Sequence, residues 1–266
     1  ENFKLAIIYQ GLDFEREPLP VTRVADDLDY FMAAFAGRPA FDSFEKPLVI
    51  WSGTWRFSEA EIAGVTEGRR DHLLILASER NLNGYQRLDH LVDGNAYYWS
   101  SVNPDTYPGY VEKLTTMSQA VHANGGLWIA PAAAGFDARL IGGTTVVERK
   151  DGDTLRVELS AALRSAPDVI GLISWNEFSE NSHIEPSEKF GNRYLDVLTN
   201  IHQADVPTVS DFDSSEPGDI LGVVTTDRAL ALGMVLTLIL VSPVIIILRN
   251  RRQLKGSAEK SLGNDV

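Results

Sequence analysis

The sequence has no cysteine, so neither a disulfide nor a thiolate metal site is open to it, and its stability rests on packing and hydrogen bonding alone. It has no basic stripe outside the C-terminus either, since 24 Lys and Arg stand against 37 Asp and Glu, a formal net charge of −13. Phosphate backbones are bound through clustered cations, so this balance excludes a nucleic-acid partner. Gly-x-Gly-x-x-Gly, the phosphate loop and Gly-x-Ser-x-Gly are all absent, which excludes a dinucleotide fold signature, a nucleotide cradle and a serine-hydrolase elbow. Histidine is sparse: His72, His90, His122 and His202 are scattered and motif-free. His183 has acidic neighbours in Glu180 and Glu185 but lacks the His-Glu-x-x-His spacing of a zinc helix. No metal and no cofactor are therefore assigned. There is no internal repeat.

What the sequence does have is a hydrophobic content of 44%, enough for a sizeable core, arranged in short apolar runs that alternate with amphipathic segments. Strands are predicted at Leu5 to Tyr9, Leu48 to Trp51, Leu73 to Ala77, Gly94 to Ser100, Gly126 to Ala130 and Val169 to Ser174. Helices are predicted over Val21 to Phe35, from the capping-box pattern Ser58-x-x-Glu61, near Gln86 to Leu91, over Tyr107 to Asn124, over Thr154 to Ser165, and from Arg193 to near Gln203. Pro131 to Lys150 reads as a polar loop. Strand and helix in alternation imply parallel βαβ units. Six such units fit either most of a (β/α)8 barrel or a doubly wound open sheet.

The most informative stretch is Ser174 to Gly191, SWNEFSENSHIEPSEKFG, a polar and acidic loop delivered by the last apolar strand. Polar groups concentrated beside an apolar core are costly, and strand-end loops of α/β barrels carry catalytic groups. Glu177 and Glu180 stand three residues apart, so their Cα atoms are at most about 10 Å apart. The separations used in glycoside cleavage, roughly 5 to 9.5 Å, lie within that reach. A pair at this spacing also occurs as a solvated helix start. Here Trp175, Asn176 and Phe178 interleave with the acids, which favours a site.

Trp175-Asn176-Glu177-Phe178-x-Glu180, His183-Ile184-Glu185-Pro186-Ser187 and Gly191-x-x-Tyr194-Leu195 resemble glycoside hydrolase family 99 and related barrel proteins of bacterial polysaccharide metabolism. The chain departs from that pattern at Phe178, where the family has Trp, and at Asn181, where it has Gly. The resemblance implies a (β/α)8 TIM-type barrel, of which residues 1–203 would supply the third to eighth βα units. It also implies endo-α-mannosidase-like hydrolysis of a glycan. Glu177 would be the base toward the sugar 2-hydroxyl and Glu180 the acid/base at the leaving oxygen. Further pocket residues are expected at the strand ends: Tyr9 and Gln10, Ser52 and Trp55, Glu79, Tyr98 and Trp99, Phe136 and Asp137, with Trp175, Asn176 and His183 from the loop itself. A glycan-binding barrel without turnover, or a transferase-like protein of surface-polysaccharide assembly, is the alternative.

Residues 204–228 read as an acidic stalk, and the 20 residues from Ala229 to Leu248 carry no charge, long enough to span a bilayer as a helix. Arg249, Arg251, Arg252 and Lys255 follow, in the tail 249–266, so the positive-inside rule places the C-terminus in the cytoplasm and the large domain outside. An outside domain needs an export signal, and the chain opens at Glu1 with neither Met nor an apolar leader. The sequence thus predicts that two further βα units and a signal precede Glu1.

Overall fold

The computed structural model describes residues 3–203. Six strands form one parallel sheet: β1 (Ile7–Gln10), β2 (Leu48–Ser52), β3 (Leu74–Ala77), β4 (Gly94–Ala96), β5 (Leu127–Ala133) and β8 (Val169–Ile173). Between them run α1 (Val21–Phe31), α2 (Glu59–Thr66), α3 (Leu82–Leu88), α4 (Tyr110–Ala123) and α5 (Asp153–Arg164), and α6 (Arg193–Gln203) follows β8. The spatial order is the chain order, β1-β2-β3-β4-β5-β8, with every neighbour parallel. A doubly wound sheet would place later strands on both sides of the first, so that alternative is excluded. The order is that of consecutive units in a (β/α)8 barrel, left open between β1 and β8 among the described residues.

The alternation of side chains along each strand explains the two faces. Val49, Trp51, Ile75, Ala77, Trp128 and Ala130 face the helices and pack with Val24, Leu28, Ile62, Val65, Leu88, Leu114 and Val121. Leu48, Ile50, Leu76, Ala96, Ile129 and Val169 form the other face. Burial of each such side chain contributes about 1.5 to 3 kcal/mol. Carboxylates pin the strands' N-terminal ends: Asp93 accepts the Ile75 N–H at 2.8 Å, and Asp168 accepts the Trp128 N–H at 2.7 Å. Gly94 is required where β4 meets β5, because its φ is +147° and a Cβ there would lie 2.1 Å from the Leu127 carbonyl.

The capping box of α2 forms as expected, with Ser58 and Glu61 bonding each other's backbone N–H. Helix α3 begins earlier than predicted because Asn81 caps it, accepting the Gly84 N–H at 2.9 Å. The expected polar loop after the fifth strand is only partly that. Pro131 to Phe136 are buried: β5 continues to Ala133, and the chain then folds into a small antiparallel hairpin, β6 (Phe136–Asp137) with β7 (Val146–Val147). Three alanines are small enough to pass under α5, and Glu158 of that helix satisfies the Ala133 N–H at 2.6 Å. The stalk, the charge-free run 229–248 and the basic tail lie outside the described residues. Among the described residues no helix is long and apolar enough to cross a membrane.

Candidate active site

Beyond β8 the chain passes through a cis Ile173–Ser174 peptide bond into a loop that closes on itself. The Ser174 N–H donates to Ser182 O at 3.2 Å and the Ile184 N–H returns to Ser174 O at 3.0 Å. Within this ring the Ser182 N–H donates to Glu177 O at 3.2 Å, and Ser174 Oγ accepts the Glu177 N–H at 2.9 Å. Ser174 and Ser182 are buried, their hydroxyls 3.1 Å apart. The backbone of Glu177 is thereby fixed from both sides. Its carboxylate accepts a hydrogen bond from the Ser179 hydroxyl.

Glu180 is held from the hairpin, where the Asp137 N–H donates to Glu180 O at 2.7 Å. Burial raises its carboxyl above the ordinary carboxylate range, and the charge of Glu177 raises it further. Tyr98, just past β4, faces the same two acids. The residue is 45% exposed at the surface. Desolvation, then the charges of Glu180 and Glu177, push the phenol up to about 12. Two carboxyls and a phenol thus feel one another's charge on the rim formed by the C-terminal ends of the parallel strands, the rim where barrels of this type carry their chemistry.

Beneath the loop lies an aromatic and cationic support that the sequence did not announce. Phe178 stacks on His183 with ring centroids 4.1 Å apart. His183 is 5% exposed, and burial, with Arg149 and Lys189 nearby, holds it down to about 4, so it is neutral near pH 7. Arg149, also buried, donates from Nε to Asn181 O at 3.2 Å and from Nη2 to His183 O. Its guanidinium lies 4.4 and 4.2 Å from the rings of Phe190 and Tyr194. Arg149 sits in a charged run, Glu148-Arg149-Lys150-Asp151, at the end of the stretch expected to be a polar loop. Only contacts distant in sequence show that it braces the acidic loop. The Ser174 and Ser182 pair was legible in principle, as the small residues flanking Asn176 to Asn181.

The other expected pocket residues divide by the pleat. Asn176 is exposed on the loop, and Trp175 is half-buried against the cluster formed by Ala132, Leu155, Leu159, Ile184 and Tyr194. Gln10 is exposed at the end of β1 and Ser52 half-buried at the end of β2. Tyr9 faces the helix layer and donates to Asp27 of α1 at 3.1 Å. Trp99 also turns outward, stacked on Tyr97 at 4.6 Å within the helix-side core. Glu79 is 2% exposed, 3.5 Å from Arg87, and burial raises its carboxyl. Phe136 is buried in the hairpin. The Asp137 carboxylate binds Arg139 at 2.6 and 2.8 Å, which holds it down at about 2. Among the described residues no group of three His, Asp or Glu side chains could hold a metal ion. Two open clefts, of about 460 and 590 Å³, lie at the opposite ends of the strands. They are lined by groups such as Arg70 and Asp93 that already pair with each other at 2.9 Å.

No protein-family model and no curated protein matches this chain. Solved structures do. The GH99 endo-alpha-mannosidase from Bacteroides thetaiotaomicron superposes with a TM-score of 0.62 at 18% identity, covering 75% of this chain and 66% of that one. A second structure of that organism's GH99 endo-alpha-mannosidase, in complex with Bis-Tris-propane, gives a TM-score of 0.62 at 18% identity, covering 75% of this chain and 71% of that one. The chain thus spans about two thirds of the length of these enzymes. Over three quarters of its own length this chain is folded like a GH99 endo-alpha-mannosidase, as the resemblance of its acidic loop implied.

Proposed function

We propose that this chain is a glycoside hydrolase that cleaves α-linked mannosides or closely related glycans, with Glu177 and Glu180 as its acid–base pair. The observation that carries this reading is the desolvated Glu180 carboxyl beside Glu177 on the sheet rim. Burial and then the like charge of Glu177 favour the protonated form of Glu180, the direction that a proton donor to a leaving group requires. In the family resembled, the base takes the proton of the sugar 2-hydroxyl, whose oxygen displaces the aglycone at C1 and closes an anhydrosugar. The acid protonates the departing oxygen, and water then opens the anhydrosugar with the two roles reversed. Glu177, held by Ser179, suits the base, and Glu180 the acid. Tyr98 stands where it would orient the sugar or the acid.

The acid role has a specific test. An α-mannosyl fluoride needs no proton on its leaving group, so Glu180→Gln should lose far more turnover on an unactivated mannoside than on the fluoride. Equal losses on both would contradict the assignment. A glycan-binding barrel without turnover is a second reading, favoured by the open sheet between β1 and β8, which leaves the groove unwalled among the described residues. Binding of mannosides with no hydrolysis by the full chain would favour it. The proposal includes membrane anchoring through residues 229–248, supported by their uncharged sequence and the basic residues that follow. Extraction of the full chain from membranes by carbonate would contradict that part.

A further inference from the structure

We propose that Arg16, Arg80 and Trp55 form a subsite for an oxyanion carried by the glycan, a phosphate ester or a uronate carboxylate, so that the substrate is an acidic oligosaccharide. This inference rests on the glycan reading above. The three residues lie in the loops that follow β1, β3 and β2, which are adjacent in the sheet. Parallel topology puts those loops on the same rim as Tyr98, Glu177 and Glu180. From β3 to β8 there are three strand steps, about 14 Å at normal spacing, so only an oligosaccharide could reach both places.

The Arg80 guanidinium lies 3.7 Å from the centroid of the Trp55 ring. Stacking of this kind fixes the plane of the guanidinium and leaves its edge N–H groups free to fork onto an oxyanion. Neither Arg80 nor Arg16 makes a side-chain hydrogen bond or a salt bridge among the described residues, although both are exposed on a strongly acidic protein. Their neighbours behave otherwise: Arg56 pairs with Glu17 at 2.6 Å and Arg87 with Glu79 at 3.5 Å. A tight turn, with the Arg16 N–H on Asp13 O at 3.2 Å and the Glu17 N–H on Asp13 Oδ1 at 2.9 Å, sets Arg16 in place. The two cations repel each other. Partial burial and then the Arg16 charge lower Arg80, against a smaller opposing effect of Glu79. An oxyanion shared between them would relieve that repulsion and satisfy both forks, while the Trp55 face offers an apolar wall for the attached sugar.

The test is calorimetric binding to the full 266-residue chain. The probes are α-linked manno-oligosaccharides of one length: neutral, bearing a mannose phosphate, and bearing a terminal glucuronate. The acidic forms should bind about tenfold more tightly than the neutral one, the scale of one charge-assisted hydrogen bond, and the difference should shrink as salt is raised. Whichever acidic form binds more tightly names the anion. Arg80→Gln and Arg16→Gln should each remove most of the preference, with melting temperatures confirming that both variants fold. Equal affinity for neutral and acidic forms overturns the subsite and leaves the glycan reading standing. A preference that survives in both variants also overturns it. Binding of no oligosaccharide at all overturns the glycan reading and the subsite with it.

Discussion

Glu158 makes the stability of this protein depend on pH in a direction that can be worked out from its surroundings. It lies on α5, fully buried, with one oxygen accepting the Ala133 N–H at 2.6 Å and the other without a partner among the described residues. The hydroxyl of Tyr110, whose ionisation Glu158 opposes, is likewise unpartnered, and among the described residues no cation lowers the carboxyl. Burial pushes it up to about 9, against a smaller lowering by the Ala133 hydrogen bond. The folded state therefore holds a proton that the unfolded chain has released. Stability from this group is complete below the ordinary carboxylate range and is lost as pH rises toward about 9. One proton corresponds to a slope of at most about 1.4 kcal/mol per pH unit, or up to roughly 3 kcal/mol between pH 6 and pH 8. Glu158→Gln keeps an acceptor for Ala133 and cannot ionise, so urea unfolding of the variant should be flatter with pH and its advantage over the native chain should grow from pH 6 to pH 8. Parallel pH dependences for the two proteins would refute the reasoning.

Two further substitutions probe the acidic loop. Arg149→Met leaves the carbonyls of Asn181 and His183 without their donor, at a cost of about 1 to 3 kcal/mol each in urea unfolding. Because Arg149 also lowers His183, the His183 titration followed by NMR should move upward in that variant, and no movement would separate Arg149 from the loop. Tyr98→Phe should leave the melting temperature unchanged, since the residue is 45% exposed, and reduce kcat on a mannoside about tenfold, the worth of one hydrogen bond to a charged group. A loss confined to stability would make Tyr98 a packing residue.

What could be read from the sequence follows the range of the interactions concerned. The six apolar runs placed the strands within a few residues, because burial on both faces of a parallel sheet demands near-continuous hydrophobicity, as in Leu48-Val49-Ile50-Trp51. The capping box at Ser58 is local, so it too was legible. The pair Glu177 and Glu180 could be singled out as a candidate because spacing and neighbours carry the signal within one short segment. Which way Tyr9, Glu79 and Trp99 point depends on where each strand ends and on the pleat, and a shift of one residue reverses the answer. Thus Tyr98 faces the acids while Trp99 joins the core. Arg149, Glu158 and the unpaired Arg16 and Arg80 were invisible for a different reason. Each looks like an ordinary surface charge, and only partners, or their absence, across distant stretches of chain give it meaning.

The central claim is that Glu177 and Glu180 are a working acid–base pair, and it is tested most directly by measuring turnover of an α-linked mannoside by the full chain beside its Glu177→Gln and Glu180→Gln variants, with mannoside affinity measured on the same samples. Glutamine keeps the size and polarity of the side chain and cannot exchange the proton. The account predicts that each variant binds with nearly native affinity and loses at least about 10²-fold in turnover. Near-native turnover in the Glu177→Gln variant, or losses that only track the folded fraction in both, would contradict it.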